Sequence, residues 1–143
     1  MPIARIVHQA ELSERLWVFD AQLSKTIPAL PKTGVGRRVA GALSRSGTAF
    51  APRYDESSAA KSRSDLVRKL ESTLKELRAT RGWLRFTLRA ELAPADRLDG
   101  LLHEADQLCR LVGDRQRRVD ARQPWTRRKT TGVDANVLSP NRN

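Results

Sequence analysis

The 143 residues suffice for one domain with its own hydrophobic core, and 27 Lys and Arg against 16 Asp and Glu leave a net charge of +11. Of these cations 21 are arginines, whose guanidinium groups fork onto phosphate and stack on bases, so nucleic acid is the leading partner class. The single cysteine, Cys109, excludes an internal disulfide and a zinc site built from thiolates. No segment approaches the roughly 18 apolar residues that span a bilayer, and the N-terminus lacks the apolar core of a secretion signal. We therefore expect a cytoplasmic protein with no membrane contact.

Four amphipathic helices are predicted, because apolar residues recur at spacings of three and four in four segments. The segments are about 11–25, 35–50, 62–91 and 95–119. The loop IPALPKTGVG ends the first, the run APRYDESS ends the second, and Pro94 ends the third, since proline does not continue a helix. The short connections favour an all-α fold, an antiparallel up-down-up-down four-helix bundle over residues 1–122.

Residues 123–143 have no apolar period and are rich in polar and turn-forming residues. We therefore expect them to form a flexible basic tail. Trp125 in this tail is a candidate for stacking on unpaired bases, which would favour structured RNA or single strands. Docking of its ring on the bundle is the alternative.

The third predicted helix carries two parallel stripes. Six apolar residues, interrupted only at Arg81, form one face that must be buried; they are Val67, Leu70, Leu74, Leu77, Leu84 and Leu88. About 100° further round the helix, cations repeat with the same period. This second row, which we call the basic stripe, consists of Arg68, Lys75, Arg78, Arg85 and Arg89. A core helix is therefore expected to display a row of positive charge.

Two further groups of cations complete the predicted nucleic-acid interface. The second helix contributes Arg37, Arg38 and Arg45. The end of the fourth helix and the tail contribute Arg115, Arg117, Arg118, Arg122, Arg127, Arg128 and Lys129. If six to eight of all these cations meet phosphates, the logarithm of the binding constant should fall with log salt at a slope of about −5 to −7. Binding without sequence readout is expected.

An enzymatic function is not predicted. The one cluster that resembles a catalytic or metal site lies on the fourth helix and consists of Asp96, Asp99, His103 and Asp106. That face is nearly opposite the leucines of the same helix, so it favours a solvated or ion-pairing surface over a site for metal or acid-base chemistry. The sequence contains no nucleophile motif, so we predict no catalytic residue, no metal, no cofactor and no small-molecule substrate.

Two single residues, Arg81 and Trp83, allow more than one interpretation. Arg81 either extends its guanidinium to the edge of the core, or it meets an acidic group or a partner protein across an interface. Trp83 beside Leu84 either packs at a helix or subunit contact or stacks on bases. Cys109 lies on an apolar helical face and is expected to be a small core residue.

The order of features resembles the bacterial four-helix-bundle family that contains the accessory variability determinant (Avd) proteins of diversity-generating retroelements and the proteins encoded in ribosomal RNA intervening sequences. The resemblance covers about residues 16–119. It is carried by IPALPKTGVGRRVAGAL, LESTLKELRATRGWLRFTLRAEL and LDGLLHEADQLCRLVGD. The phrase WLRFTLR before a short link is more similar to the Avd branch, and SGTAFAPRYD departs from the Ser-x-Asn-Ile-Ala-Glu-Gly-like run of the ribosomal branch.

The resemblance implies a non-catalytic accessory protein that forms a homopentamer, binds a reverse transcriptase and its template RNA, and supports mutagenic cDNA synthesis. Among the residues of this chain it points to Arg78, Arg85 and Arg89, together with the arginines that follow the fourth helix. Two alternatives stay open. One is a protein of the ribosomal RNA intervening-sequence type, and the other is a basic structural adaptor that binds an acidic protein.

Overall fold

The computed structural model describes residues 3–121, with side chains from residue 8 onward, and within these limits the chain is helical and contains no strand. The helices are α1 (Ile3–Thr26), α2 (Gly34–Gly47), α3 (Phe50–Glu56), α4 (Arg63–Arg89) and α5 (Ala95–Ala121). Short 3-10 turns, Ile27–Ala29 and Ser57–Ala59, precede α2 and α4. The all-α class is confirmed. The predicted tail, residues 123–143 with Trp125, Arg127, Arg128 and Lys129, lies outside the described residues, as does Arg122.

Two boundaries differ from the prediction. The first helix begins at Ile3 instead of near residue 11. The run APRYDESS, predicted to be a break, contains the short helix α3. Pro52 is the third residue of α3, and a proline is tolerated in a first turn because its missing N–H would have no partner within the helix. The break falls instead between Gly47 and Phe50.

The ends of α4 are set by local chemistry. At the start, the Ser62 hydroxyl accepts a hydrogen bond from the Asp65 N–H at 3.1 Å, as expected of an N-cap serine. At the end, the Leu92 N–H donates to the Thr87 carbonyl and the Glu91 N–H donates to the Leu88 carbonyl. This is the Schellman pattern, and it places Glu91 in the left-handed region with φ of 54°. A non-glycine residue pays a steric cost there.

The core is formed by the apolar stripes of the four long helices together with α3. The predicted stripe of α4 is buried at Leu70, Leu74, Leu77 and Leu84 and partly buried at Val67 and Leu88. The matching stripe of α5 is buried at Leu98, Leu101, Ala105, Leu108 and Val112. One residue that matches the apolar spacing of α2 is not buried. Val35 is 41% exposed, because it lies in the first turn of α2, ahead of the buried Val39 and Leu43.

Contacts between helices establish two relative directions. Glu71 and Arg81 of α4 meet Gln116 and Asp106 of α5, so residue numbers rise along one helix as they fall along the other. The same relation holds between α1 and α5, where Gln9 meets Arg115 and Arg15 meets Glu104. Each of these two pairs is therefore antiparallel.

Glycine permits a close approach between α1 and α2. A Cβ at Gly47 would lie 2.7 Å from Cδ2 of Leu23, which is fully buried. The glycines of the second predicted helix lower its intrinsic propensity, and at Gly47 this loss is offset by tight packing between helices.

None of the helices in the described part of the chain contains an apolar stretch of the length needed to cross a membrane.

Candidate nucleic-acid interface

The basic stripe is exposed on the surface of α4. All five of its residues are exposed, whereas the neighbouring leucine row is buried at Leu70, Leu74, Leu77 and Leu84 and partly buried at Leu88. The two rows therefore occupy neighbouring faces of one helix. Burial of the leucine row fixes the rotation of α4, and that rotation holds the cations at the surface.

Ion pairs divide the basic stripe into two groups. Arg68 pairs with Asp65 three residues earlier on the same helix. Arg85 pairs with Asp106 of α5, with 3.2 Å between Nη2 and Oδ1. Lys75, Arg78 and Arg89 have no carboxylate partner among residues 8–121. These three cations are the ones that can bind a phosphate without first breaking an ion pair.

Lys75 and Arg78 border a shallow groove between α4 and α5. Its volume is about 370 Å³, and Glu71, Leu74 and Gln116 complete its lining. The Glu71 carboxylate accepts a hydrogen bond of 3.5 Å from Gln116, which directs this acid towards α5. The groove therefore places two unpaired cations beside Leu74 and the Glu71 carboxylate, and such cations can contact a sugar-phosphate backbone.

Arg81 meets an acidic group, as one of its two interpretations predicted. Its Nη1 lies 3.4 Å from Oδ1 of Asp106, and its side chain is 26% exposed. In the predicted cluster of Asp96, Asp99, His103 and Asp106, it is Asp106 that forms ion pairs with α4. His103 contacts Gln107 at 3.3 Å, and Asp99 is exposed. Over the described residues, no three potential ligands from His, Cys, Asp and Glu are grouped closely enough to hold a metal ion.

The three arginines of α2 belong to a different surface. Arg37, Arg38 and Arg45 are exposed. However, α2 contacts α4 through Ser46 and Thr80, whose hydroxyl oxygens are 2.8 Å apart. In a regular helix Thr80 lies about 200° from Arg78, so α2 packs on the side of α4 away from the basic stripe. A single short strand of nucleic acid would not span both groups.

The arginines near the end of α5 differ in their surroundings. Arg118 is exposed, and Arg117 pairs with Asp114. Arg115 is only partly exposed: its guanidinium carbon lies 5.9 Å from the centre of the Tyr54 ring, and Nη2 donates to Gln9 at 3.2 Å. Such a position suits a cation-π contact within the bundle rather than an open surface charge.

The aromatic residues and the cysteine have packing roles. Trp83 is partly buried against the core and meets Phe86 edge-to-face at 5.7 Å, as expected of a packed ring. Cys109 is buried, as predicted, and burial raises the pKa of its thiol, against the opposing effect of Arg81 and Arg78. A protonated core thiol is unreactive.

Sequence reasoning missed one constellation. Arg15, Tyr54 and Arg63 line the same cavity as Arg115 and Arg118. These residues come from four different helices, so no local pattern indicates that they meet.

No protein-family profile matches the sequence, and no curated protein is detectably similar to it. The fold is similar to a crystal structure at 1.70 Å resolution of a protein with unknown function from the S23 ribosomal protein family of Bacteroides thetaiotaomicron VPI-5482. The TM-score is 0.66 at 22% identity, over 71% of this chain and 94% of that chain. At this identity the similarity establishes a shared helical fold.

Proposed function

We propose that this protein is a non-catalytic RNA-binding accessory subunit, which holds RNA phosphates on α4 and presents that RNA to a reverse transcriptase for mutagenic cDNA synthesis. The observation that carries the RNA-binding part is the exposure of Lys75, Arg78 and Arg89 without carboxylate partners in the described chain. The net charge of +11 supports it, because phosphate contacts dominate affinity for nucleic acid. The reverse transcriptase and the template RNA enter through the resemblance to the Avd proteins.

The assembly is part of the same proposal. An up-down-up-down order is supported by the antiparallel pairs α1 with α5 and α4 with α5. A homopentamer follows from the resemblance, and four exposed apolar side chains offer material for contacts between subunits: Trp17, Val18, Val35 and Leu111. Analytical ultracentrifugation with and without RNA tests the assembly; a monomer under both conditions would contradict it.

RNA binding is tested by neutralising the unpaired cations. We expect Lys75→Gln, Arg78→Gln and Arg89→Gln together to reduce the salt slope by about 2 to 3, since each lost phosphate contact removes about 0.7–0.9 from it. Fluorescence anisotropy with a labelled RNA over a series of salt concentrations measures this slope. The matched control is Lys25→Gln, Lys32→Gln and Arg97→Gln, which changes the net charge equally at exposed sites outside the predicted interface. Equal salt slopes for the two triple variants would mean that the basic stripe does not contact RNA phosphates.

The polymerase role has its own test. If a reverse-transcriptase gene adjoins the gene for this protein, co-purification of the two products, followed by cDNA synthesis with and without this protein, measures that role. Undiminished cDNA output without the protein contradicts the role, even if RNA binding is retained.

A second candidate is a protein of the ribosomal RNA intervening-sequence type. The structural neighbour's S23 ribosomal family name favours it. A coding position inside a large-subunit rRNA gene would support this candidate, whereas an adjacent reverse-transcriptase gene would support the first. If the wild-type protein binds no RNA at low salt, the remaining candidate is a basic adaptor for an acidic protein.

A further inference from the structure

A second basic site lies at the end of the bundle where α4 begins and α5 ends. There a cavity of about 1090 Å³ opens between α1, the 3-10 turn that precedes α4, and the last turns of α5. Small-molecule sites have volumes of this order. None of the residues of the groove between α4 and α5 lines this cavity.

The lining of the cavity is cationic. Four arginines border it, Arg15, Arg63, Arg115 and Arg118, against one carboxylate, that of Glu11. Arg15 is neutralised by a bidentate contact with Glu104, at 2.7 and 3.0 Å. Three arginines against one acid still leave an excess of positive charge, so the cavity attracts an anion.

Two buried polar atoms in this lining have no hydrogen-bond partner among the described residues. They are the hydroxyl of Tyr54, a side chain with 0% exposure, and Nε of Arg115. A buried donor without an acceptor costs about 1–3 kcal/mol, and native structures satisfy nearly all such groups. Burial raises the pKa of Tyr54, so its hydroxyl remains a donor at neutral pH. Both groups can donate to an acceptor oxygen of a bound ligand.

The start of α4 also borders the cavity. Ser62, the N-cap, and Arg63, the first helical residue, both line the cavity. The positive end of this 27-residue helix favours an anion at its first turn. The nearby Asp65 accepts from the Lys61 N–H and pairs with Arg68 and Lys69, so its charge is already balanced by partners outside the lining.

We propose that this cavity is a binding site for a phosphate monoester of nucleotide size, whose phosphate oxygens accept from Tyr54, Arg115 and the arginines at the mouth. A phosphate monoester fits better than a carboxylate, because it has three acceptor oxygens and the lining contains several separate donors, among them the Tyr54 hydroxyl and the guanidinium groups of Arg63 and Arg115. The volume exceeds that of a phosphate ion and leaves room for the nucleoside. The site is independent of the basic stripe.

Isothermal titration calorimetry at low salt on the full chain tests the proposal with three probes: adenosine 5′-monophosphate, inorganic phosphate and adenosine. We expect the monophosphate to bind most tightly, phosphate to bind more weakly, and adenosine not to bind. If inorganic phosphate bound as tightly as the monophosphate, the site would be assigned to a free phosphate ion, and the nucleotide part of the proposal would be overturned. Binding of adenosine as tight as that of the monophosphate, or binding of no probe, would overturn the proposal as a whole.

Tyr54→Phe is the sharpest variant, because it removes only the unpartnered hydroxyl. We expect about tenfold weaker binding of the monophosphate, with the melting temperature of the free protein unchanged or raised. Arg63→Gln, at an exposed position, should also weaken binding and keeps the test valid if Tyr54→Phe fails to fold. Arg97→Gln, at an exposed position outside the cavity and outside the predicted nucleic-acid interface, is the charge-matched control and should bind as wild type. Wild-type affinity in both Tyr54→Phe and Arg63→Gln would contradict the site. The triple variant Lys75→Gln, Arg78→Gln and Arg89→Gln should still bind the monophosphate as wild type does. This result separates the proposal from RNA binding on α4.

Discussion

Asp106 of α5 holds Arg81 of α4 by a contact of 3.4 Å between Oδ1 and Nη1. The same oxygen accepts from Nη2 of Arg85 at 3.2 Å. One carboxylate therefore satisfies the arginine that interrupts the apolar stripe and also neutralises one member of the basic stripe. An arginine between core leucines would be costly without such a partner.

Asp106→Asn should separate the structural effect of this carboxylate from its effect on RNA. We expect a loss of about 0.5–1 kcal/mol in the free energy of unfolding, because the pairs are partly exposed. RNA affinity should rise by about two- to fivefold, since Arg85 is released and one negative charge is removed beside the stripe. Urea denaturation and fluorescence anisotropy measure the two effects. Asp99→Asn removes an equal charge at an exposed position on the same helix, so it should change the free energy of unfolding and the RNA affinity less than Asp106→Asn does. Weaker RNA binding by Asp106→Asn would contradict this assignment of Arg85.

Asp65→Asn should produce a pH-dependent loss of stability. The N–H of Lys61 donates to the Asp65 carboxylate at 3.1 Å, and this bond, with the pairing to Arg68 and Lys69, holds the pKa of Asp65 below its ordinary value. A depressed folded-state pKa contributes stability above the unfolded-state pKa of about 3.9, and that contribution is lost as pH falls through the folded-state pKa. The variant should therefore unfold at lower urea concentration than wild type at pH 6, and the gap should close in strong acid. A gap independent of pH would mean that the charge is not its source.

Glu91→Gly should stabilise the protein. Glu91 has φ of 54° at the end of α4, where glycine has no steric cost. We expect a gain of about 0.5–1 kcal/mol in the free energy of unfolding, measured by urea denaturation. Glu91→Ala removes the same charge but keeps the Cβ, so it should give little or none of this gain. A similar gain in both variants would attribute the effect to charge instead of backbone conformation.

Alanine substitutions at two glycines of α2 should have opposite effects on stability. A Cβ at Gly36 would lie 1.9 Å from the carbonyl oxygen of Pro31, whereas a Cβ at Gly34 would meet nothing within 4 Å. Gly36→Ala must move the loop backbone and should cost about 2 kcal/mol or more. Gly34→Ala should leave stability unchanged or raise it by up to about 1 kcal/mol. Thermal unfolding of both variants compares them directly; equal melting temperatures would mean that the loop yields without cost.

Much of the fold follows from local pattern. The spacing of Leu70, Leu74, Leu77 and Leu84 predicts a buried face, and the same register predicts an exposed row of cations beside it. Pro94, which separates α4 from α5, is also a short-range signal. Such signals can be recognised because the relevant contacts lie within about one turn of the helix.

The incorrect predictions also concern single positions. Pro52 has two roles open to it, a helix breaker or a first-turn residue, and the choice depends on whether Phe50, Ala51 and Tyr54 are buried by the rest of the bundle. Val35 matches the apolar spacing of α2, but position in the first turn leaves it exposed. Periodicity identifies a face without showing how far along the helix that face is covered.

The sequence by itself determined which faces of the helices are apolar and which are cationic, because that division depends only on the angle between successive residues of one helix. Tertiary structure alone decided which charges remain unpaired and which groups meet. Asp106 removes Arg85 from the free cations, and Tyr54 joins Arg115 and Arg63 around one cavity. These relationships join residues that are far apart along the chain, and the packing of one helix against another is what fixes their distances.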